Sequence, residues 1–106
     1  MPSIFTRIIQ REIPSTIVYE DDICFVIHDI NPQAKTHLLL IPKKEIETVD
    51  DIVPEDIGII SHLFSVAQKV TRDLWIEKGY KLHFNVGTLS GQEVPHVHMH
   101  LLSDIA

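Results

Sequence analysis

The run His37-Leu38-Leu39-Leu40-Ile41-Pro42 constrains this chain most. Apolar residues without alternation are expected of a central strand covered on both faces, and Pro42 ends it. The rest of the chain supplies partners and cover. Thr16–Glu20 and Ile23–His28 are β-branched and aromatic runs joined by Asp21-Asp22, a hairpin pattern. Asn31-Pro32-Gln33 marks a loop. Tyr80, Leu82, Phe84 and Val86 alternate with Lys81, His83 and Asn85, giving a strand with one apolar and one polar face. Gly87 to Val94 is a loop, and His96–Leu102 is the last strand. Two helices complete the pattern. Residues 3–11 place Ile4/Ile8 and Phe5/Ile9 at helical spacing behind a capping Ser3, with Pro14 closing the segment. A longer helix begins at Pro54, carries Glu55 and Asp56 in its first turn, and is stopped by Gly79. The order implies an α+β fold: a mainly antiparallel five-stranded sheet, one long helix and a short N-terminal helix, in a single domain over residues 1–106.

The long helix has two apolar stripes: Ile57, Ile60, Phe64, Ala67 and Leu74, and beside it Ile59, Leu63, Val66 and Val70. One can dock on the sheet; the other needs cover, which a second copy of the chain would provide, so a homodimer is expected. Composition narrows the partners. Nine Lys+Arg against fifteen Asp+Glu give a net charge of −6, which argues against a broad nucleic-acid or anionic-membrane surface but leaves room for a small phosphate-containing ligand. The longest stretch without Asp, Glu, Lys or Arg is Ile57–Gln68, too short and too polar to span a bilayer. Cys24 is the single cysteine, so no intrachain disulfide is possible, and it reads as a small core residue. Met1-Pro2-Ser3-Ile4 has no basic and apolar leader pattern, so a reducing cytoplasm is the expectation.

Seven histidines stand out, three of them in His96–His100. On a strand, His96, His98 and His100 share one face while Val97, Met99 and Leu101 take the other. Three imidazoles on one face rarely serve packing alone, because each buried ring nitrogen needs a partner. Three readings stay open. A solvated histidine-rich edge fits poorly with the intervening apolar residues. A metal site uses the commonest zinc ligand. Three rings on a straight strand span roughly 13–14 Å, however, so a further ligand such as His37 or Glu93 would have to come from elsewhere. Nucleophilic catalysis on phosphorus uses a neutral imidazole, whose phosphate adduct is labile enough for water to complete the reaction. Clustered histidines disfavour one another's protonation, and the outer rings can hydrogen-bond non-bridging oxygens.

The run His96-Val97-His98-Met99-His100-Leu101-Leu102 resembles the signature His-φ-His-φ-His-φ-φ of the histidine triad family of nucleotidyl hydrolases and transferases. Further segments are similar to its Hint branch: Ile4-Phe5 to Glu12-Ile13-Pro14, Tyr19–Asp22, Phe25–Ala34, Thr36–Lys44, Asn85-Val86-Gly87 and Gly91-Gln92. The resemblance implies that His98 is the nucleophile, that His100 contacts the phosphate and that His96 fixes the orientation of His98, with His37 near the phosphate. It implies that Asp29 binds the ribose hydroxyls, that Ile30 lines the base pocket, and that Asn85, Gly91 and Gln92 contact phosphate. Where Hint phosphoramidases carry a serine, this chain has Glu93. That carboxylate points away, is partly protonated, or marks a different leaving group. The implied activity is hydrolysis of purine nucleoside phosphoramidates or related AMP-containing conjugates through a covalent nucleotidyl-histidine, without cofactor or metal. Dinucleoside polyphosphate hydrolysis is the alternative within the family, and a His-ligated metal-binding or nucleotide-sensing protein the alternative outside it. The remaining residues read blandly: His62 as solvated, Lys43-Lys44 as surface, His28 and His83 as structural, Phe5, Trp75 and Met99 as core.

Overall fold

The computed structural model describes residues 2–105. Five strands, β1 (Ile17–Glu20), β2 (Cys24–His28), β3 (Thr36–Pro42), β4 (Lys81–His83) and β5 (Met99–Ser103), form one sheet in the order β1-β2-β3-β5-β4. Every neighbouring pair is antiparallel. Helix α1 (Ile4–Ile9) covers one face and α2 (Ile57–Asp73) the other. The apolar run at residues 37–42 is the central strand: every residue from His37 to Pro42 is buried. Because strand side chains alternate, Leu38 and Leu40 join Cys24, Val26, Met99 and Leu101 in a core under Leu63, Val66, Ala67 and Val70 of α2. Leu39 and Ile41 face the other way, packing with Phe25, Ile27 and the α1 residues Phe5 and Ile8. In β5, Met99 and Leu101 occupy the α2 side, which leaves His100 on the α1 side opposite Leu39 of β3 and His83 of β4.

The hairpin turn shows how a short polar segment fixes larger elements. The Asp21 carboxylate accepts the Ile23 and Cys24 N–H groups, both at 2.8 Å, through one oxygen. The other accepts Tyr19 O–H at 2.7 Å and meets His62 Nε2 of α2 at 2.6 Å. Burial opposes ionisation of Asp21, but these hydrogen bonds, led by that of His62, hold its carboxyl well below the usual carboxylate range. His62 is therefore half-buried and hydrogen-bonded to Asp21 rather than solvated. Cys24 is fully buried on β2, and burial pushes its thiol up to about 12.

Several boundaries differ from the sequence expectation. Helix α1 is capped by Ser3 as expected, but it ends at Ile9, where Gln10 caps it and Arg11 adopts φ 64°, before Pro14 is reached. Pro54–Asp56 forms a 3₁₀ turn ahead of α2, with Lys44 Nζ 2.5 Å from the buried Asp56 carboxylate, so Lys44 lies on the surface as expected and is tethered there. Helix α2 stops at Asp73, six residues before Gly79, because Trp75 takes φ 62° and turns the chain away. That conformation leaves Trp75 83 % exposed instead of in the core. The alternating segment 80–86 pairs with β5 only at Lys81–His83, since the chain leaves the sheet edge to form the loop that follows. The two α2 stripes do not separate cleanly: Leu63, Val66 and Val70 dock together with Ala67 of the other stripe, while Ile57, Phe64 and Leu74 of that stripe stay exposed. No helix among the described residues is long and apolar enough to cross a membrane.

Candidate active site

The last strand begins at Met99, so only His100 of the three triad histidines lies in it. His96 and His98 precede it on irregular backbone, and the expectation of three rings side by side on one strand face is corrected accordingly. The irregular path has a specific effect. It turns the His96 carbonyl toward the ring of His98, whose Nδ1 lies 2.8 Å away.

Four ring tautomers follow from fixed neighbours, because a carbonyl only accepts and an amide N–H only donates. His98 Nδ1 must carry its proton to donate to the His96 carbonyl, which leaves Nε2 as a bare lone pair. His96 Nε2–H donates to the Pro42 carbonyl at 2.7 Å, so its Nδ1 accepts Ser3 O–H at 2.6 Å. His37 Nδ1 accepts the Gln33 N–H at 3.0 Å, so its Nε2–H donates to His100 Nδ1 at 2.9 Å. His100 is thereby left with an outward Nε2–H donor. Every buried side-chain nitrogen and oxygen among the described residues has a partner. His98 Nε2 makes no hydrogen bond among them, so it reaches solvent even though the residue is only 8 % exposed.

The rings pack as a unit. His98 and His100 centroids are 4.9 Å apart, His37 and His100 5.2 Å, and Phe5 of α1 meets His98 edge-on at 5.0 Å and His96 at 5.7 Å. Burial pushes the imidazoles of His37, His96 and His98 below their ordinary value. Burial also lowers His100, and repulsion from His98, His83 and His37 helps to bring it to about 4. Neutral rings are the state the site favours near neutral pH. Asp29 does two things at once: one oxygen accepts the Asn31 N–H at 2.8 Å, closing the turn before Pro32, and the other lies 3.4 Å from His37 Nε2.

Asn85, Gly91, Gln92 and Glu93 lie on the stretch between β4 and the triad. Asn85 donates to the Ser90 carbonyl at 2.7 Å and lies 3.5 Å from where a side chain on Gly91 would begin, which binds the 87–91 loop to the end of β4. Gly91 itself is at φ 96°, a left-handed conformation that glycine takes readily. The Gln92 amide is consumed internally: its oxygen accepts the Gly87 N–H and its nitrogen donates to the Glu47 and Val94 carbonyls. Glu93 is exposed on the rim of a groove of about 220 Å³ that it shares with Glu47, Thr48, Gly87, Thr88, Gln92 and Pro95. Ile30 is 99 % exposed, and Leu89 at the loop tip is fully exposed. His83, read from the sequence as structural, also touches the cluster. Its ring lies flat on His100, centroids 4.5 Å apart and planes 5° from parallel. The alternation that put it on the polar side of β4 with Asn85 was the available signal.

Two groups among the described residues offer ligand atoms within 4.8 Å of one another, Asp29/His37/His100 and Asp21/Cys24/His62. In both, imidazole–acceptor hydrogen bonds already join members of the group.

Comparison with known proteins decides the family. The sequence matches the HIT domain over residues 10–105. The chain belongs to the HIT family. It is 48 % identical over 101 residues to the purine nucleoside phosphoramidase of Escherichia coli K12, covering 94 % of this chain and 85 % of that one. An uncharacterised HIT-like protein of Synechocystis is 47 % identical over 100 residues, 94 % of this chain and 88 % of its own. Among solved structures, a HIT family hydrolase from Legionella pneumophila superposes with a TM-score of 0.94 at 42 % identity, covering 99 % and 95 % of the two chains. One from Clostridium thermocellum gives 0.93 at 45 % identity, covering 97 % and 90 %. The α+β fold expected from the sequence is thus the HIT fold, and the chain is a hydrolase of this family.

Proposed function

We propose that this HIT hydrolase cleaves purine nucleoside phosphoramidates or closely related nucleoside monophosphate conjugates through a covalent intermediate on His98. The observation that carries the reading is the His98 ring, tied by Nδ1–H to the His96 carbonyl so that a bare Nε2 faces outward. Its lone pair forms the bond to the α-phosphorus as the bond to the leaving amine breaks and the amine takes a proton from solvent. Water then attacks the phosphorus, releasing the nucleoside monophosphate and restoring Nε2. Charge that builds on the phosphoryl oxygens meets the outward Nε2–H of His100, which His37 orients through their 2.9 Å hydrogen bond. Asp29 is the ribose-binding carboxylate in this reading. The E. coli relative's name supports the substrate class. The further inference of a homodimer rests on Ile57, Phe64 and Leu74, 58 %, 46 % and 41 % exposed along one side of α2.

Intact mass after mixing with adenosine phosphoramidate tests the chemistry. One added AMP on the wild type, and none together with no turnover on His98→Ala, is the expected result; full activity in His98→Ala refutes the assignment. Offering diadenosine polyphosphate alongside separates the runner-up, dinucleoside polyphosphate hydrolysis. Light scattering at tens of micromolar tests the dimer: the wild type elutes as a dimer and Phe64→Glu as a monomer, whereas a monomeric wild type overturns it.

A further inference from the structure

We propose that Asp21, Cys24 and His62 form a zinc site on the α2 face of the sheet, joining the β1–β2 turn to the long helix and separate from the triad. The turn and the start of β2 supply Asp21 and Cys24, and α2 supplies His62. Their ligand atoms, a carboxylate oxygen, the thiol sulfur and an imidazole nitrogen, all lie within 4.8 Å of one another. Cys24 packs in the core beneath Leu63, Val66 and Ala67 of α2, whereas His96 and His98 pack against Phe5 of α1 on the other face. The site is thus independent of the phosphoramidate reading.

Thiolate, imidazole and carboxylate are the ordinary ligands of zinc, and at bond lengths of about 2.0–2.3 Å a tetrahedral ion holds them about 3.3–3.8 Å apart. Asp21 Oδ2 stands 2.6 Å from His62 Nε2 and 4.0 Å from Cys24 Sγ, on either side of that spacing. Parting Asp21 and His62 by roughly 0.7 Å seats the ion. The carboxylate is already aimed, because its other oxygen accepts the Ile23 and Cys24 N–H groups; outer hydrogen bonds of this kind orient metal ligands. Tyr19 O–H, 2.7 Å from Oδ2, is a further partner of that kind. The side chains of Asp21 and His62 are 24 % and 29 % exposed, which gives the ion a way in and leaves the fourth position to water. Binding releases the Cys24 S–H proton to solvent and exchanges the Asp21–His62 hydrogen bond for two metal bonds.

Cobalt(II) reads the site, because a thiolate bound to it gives an intense near-ultraviolet charge-transfer band and Cys24 is the single cysteine of the chain. The group Asp29, His37 and His100 on the other face holds no sulfur and is silent in that band. Titrating the reduced full chain with cobalt chloride is expected to raise the band to saturation at a single equivalent, and added zinc chloride to abolish it. Cys24→Ala shows no band. His62→Gln weakens cobalt binding at least about tenfold, the least that losing even an outer-shell partner costs. Asp21→Asn, whose amide oxygen can still accept the Ile23 and Cys24 N–H groups, weakens it as much. A wild type without the band at several equivalents of cobalt overturns the proposal, and so does a His62→Gln or Asp21→Asn variant that binds cobalt as tightly as the wild type.

Discussion

Removing one hydroxyl, that of Ser3, tests how the active site is anchored to the fold. The Ser3 side chain accepts the Thr6 N–H at 3.1 Å as the cap of α1, and donates to His96 Nδ1 at 2.6 Å. Ser3→Ala deletes both bonds. Loss of a helix cap costs about 1 kcal/mol. His96 is fully buried, so its orphaned Nδ1 costs a further 1–3 kcal/mol or so. The expected destabilisation is therefore about 2–4 kcal/mol, a large part of the roughly 5–15 kcal/mol that holds a domain of this size together. With a guanidinium m-value on the order of 3 kcal/mol/M, the unfolding midpoint falls by about 1 M. Far-UV circular dichroism is the suitable probe, since Trp75 is 83 % exposed and its fluorescence reports little of the core. Ser3→Thr keeps the hydroxyl and recovers most of the loss. A midpoint change below about 0.2 M for Ser3→Ala, or an equal loss in Ser3→Thr, would show that the hydroxyl does not hold His96 in place.

Acid should weaken the fold in a definite direction. His37, His96, His98 and His100 all have folded-state values below the ordinary imidazole value of 6.5, with His100 at about 4. Below 6.5 the unfolded chain binds more protons, so their contribution is fully present above that pH and is lost as pH falls toward 4. Urea midpoints measured from pH 7.5 to 4.5 should fall steadily, and a rise on acidification would contradict the burial of these rings. In the loop, Gly91→Ala forces a side chain into φ 96° and places its Cβ 3.5 Å from the Asn85 amide. A loss of about 1–2 kcal/mol in thermal stability is expected, and a neutral effect would mean that the loop readily adopts another path.

The fold was legible where hydrophobic pattern and topology agree. The apolar residues 38–41 identified the central strand because both faces are covered, and the order of elements along the chain was read correctly. What the pattern concealed was where regular structure stops. Trp75 ends α2 in a left-handed conformation that its residue type does not advertise. The triad reads as a strand because alternation is visible in sequence, whereas the backbone irregularity that turns the His96 carbonyl onto His98 leaves no local mark. The site residues divide in the same way. The spacing of the triad singled out His96, His98 and His100, whereas alternation put His83 only on the polar face of β4, and its place against His100 follows from the register of β4 against β5. The Gln92 amide, expected to contact phosphate, also bonds within the fold, to Gly87 and Val94 of its own loop and to Glu47 after β3, and the pairing with Glu47 leaves no mark in the sequence.

The sealed thiol of Cys24 also has a practical use. With its sulfur enclosed and its ionisation pushed up to about 12, the native cysteine is inert toward alkylating reagents at neutral pH. Leu89→Cys, at the fully exposed loop tip, would accordingly give a protein with a single reactive handle, and a fluorophore attached there could follow the loop in real time without any native residue having to be removed.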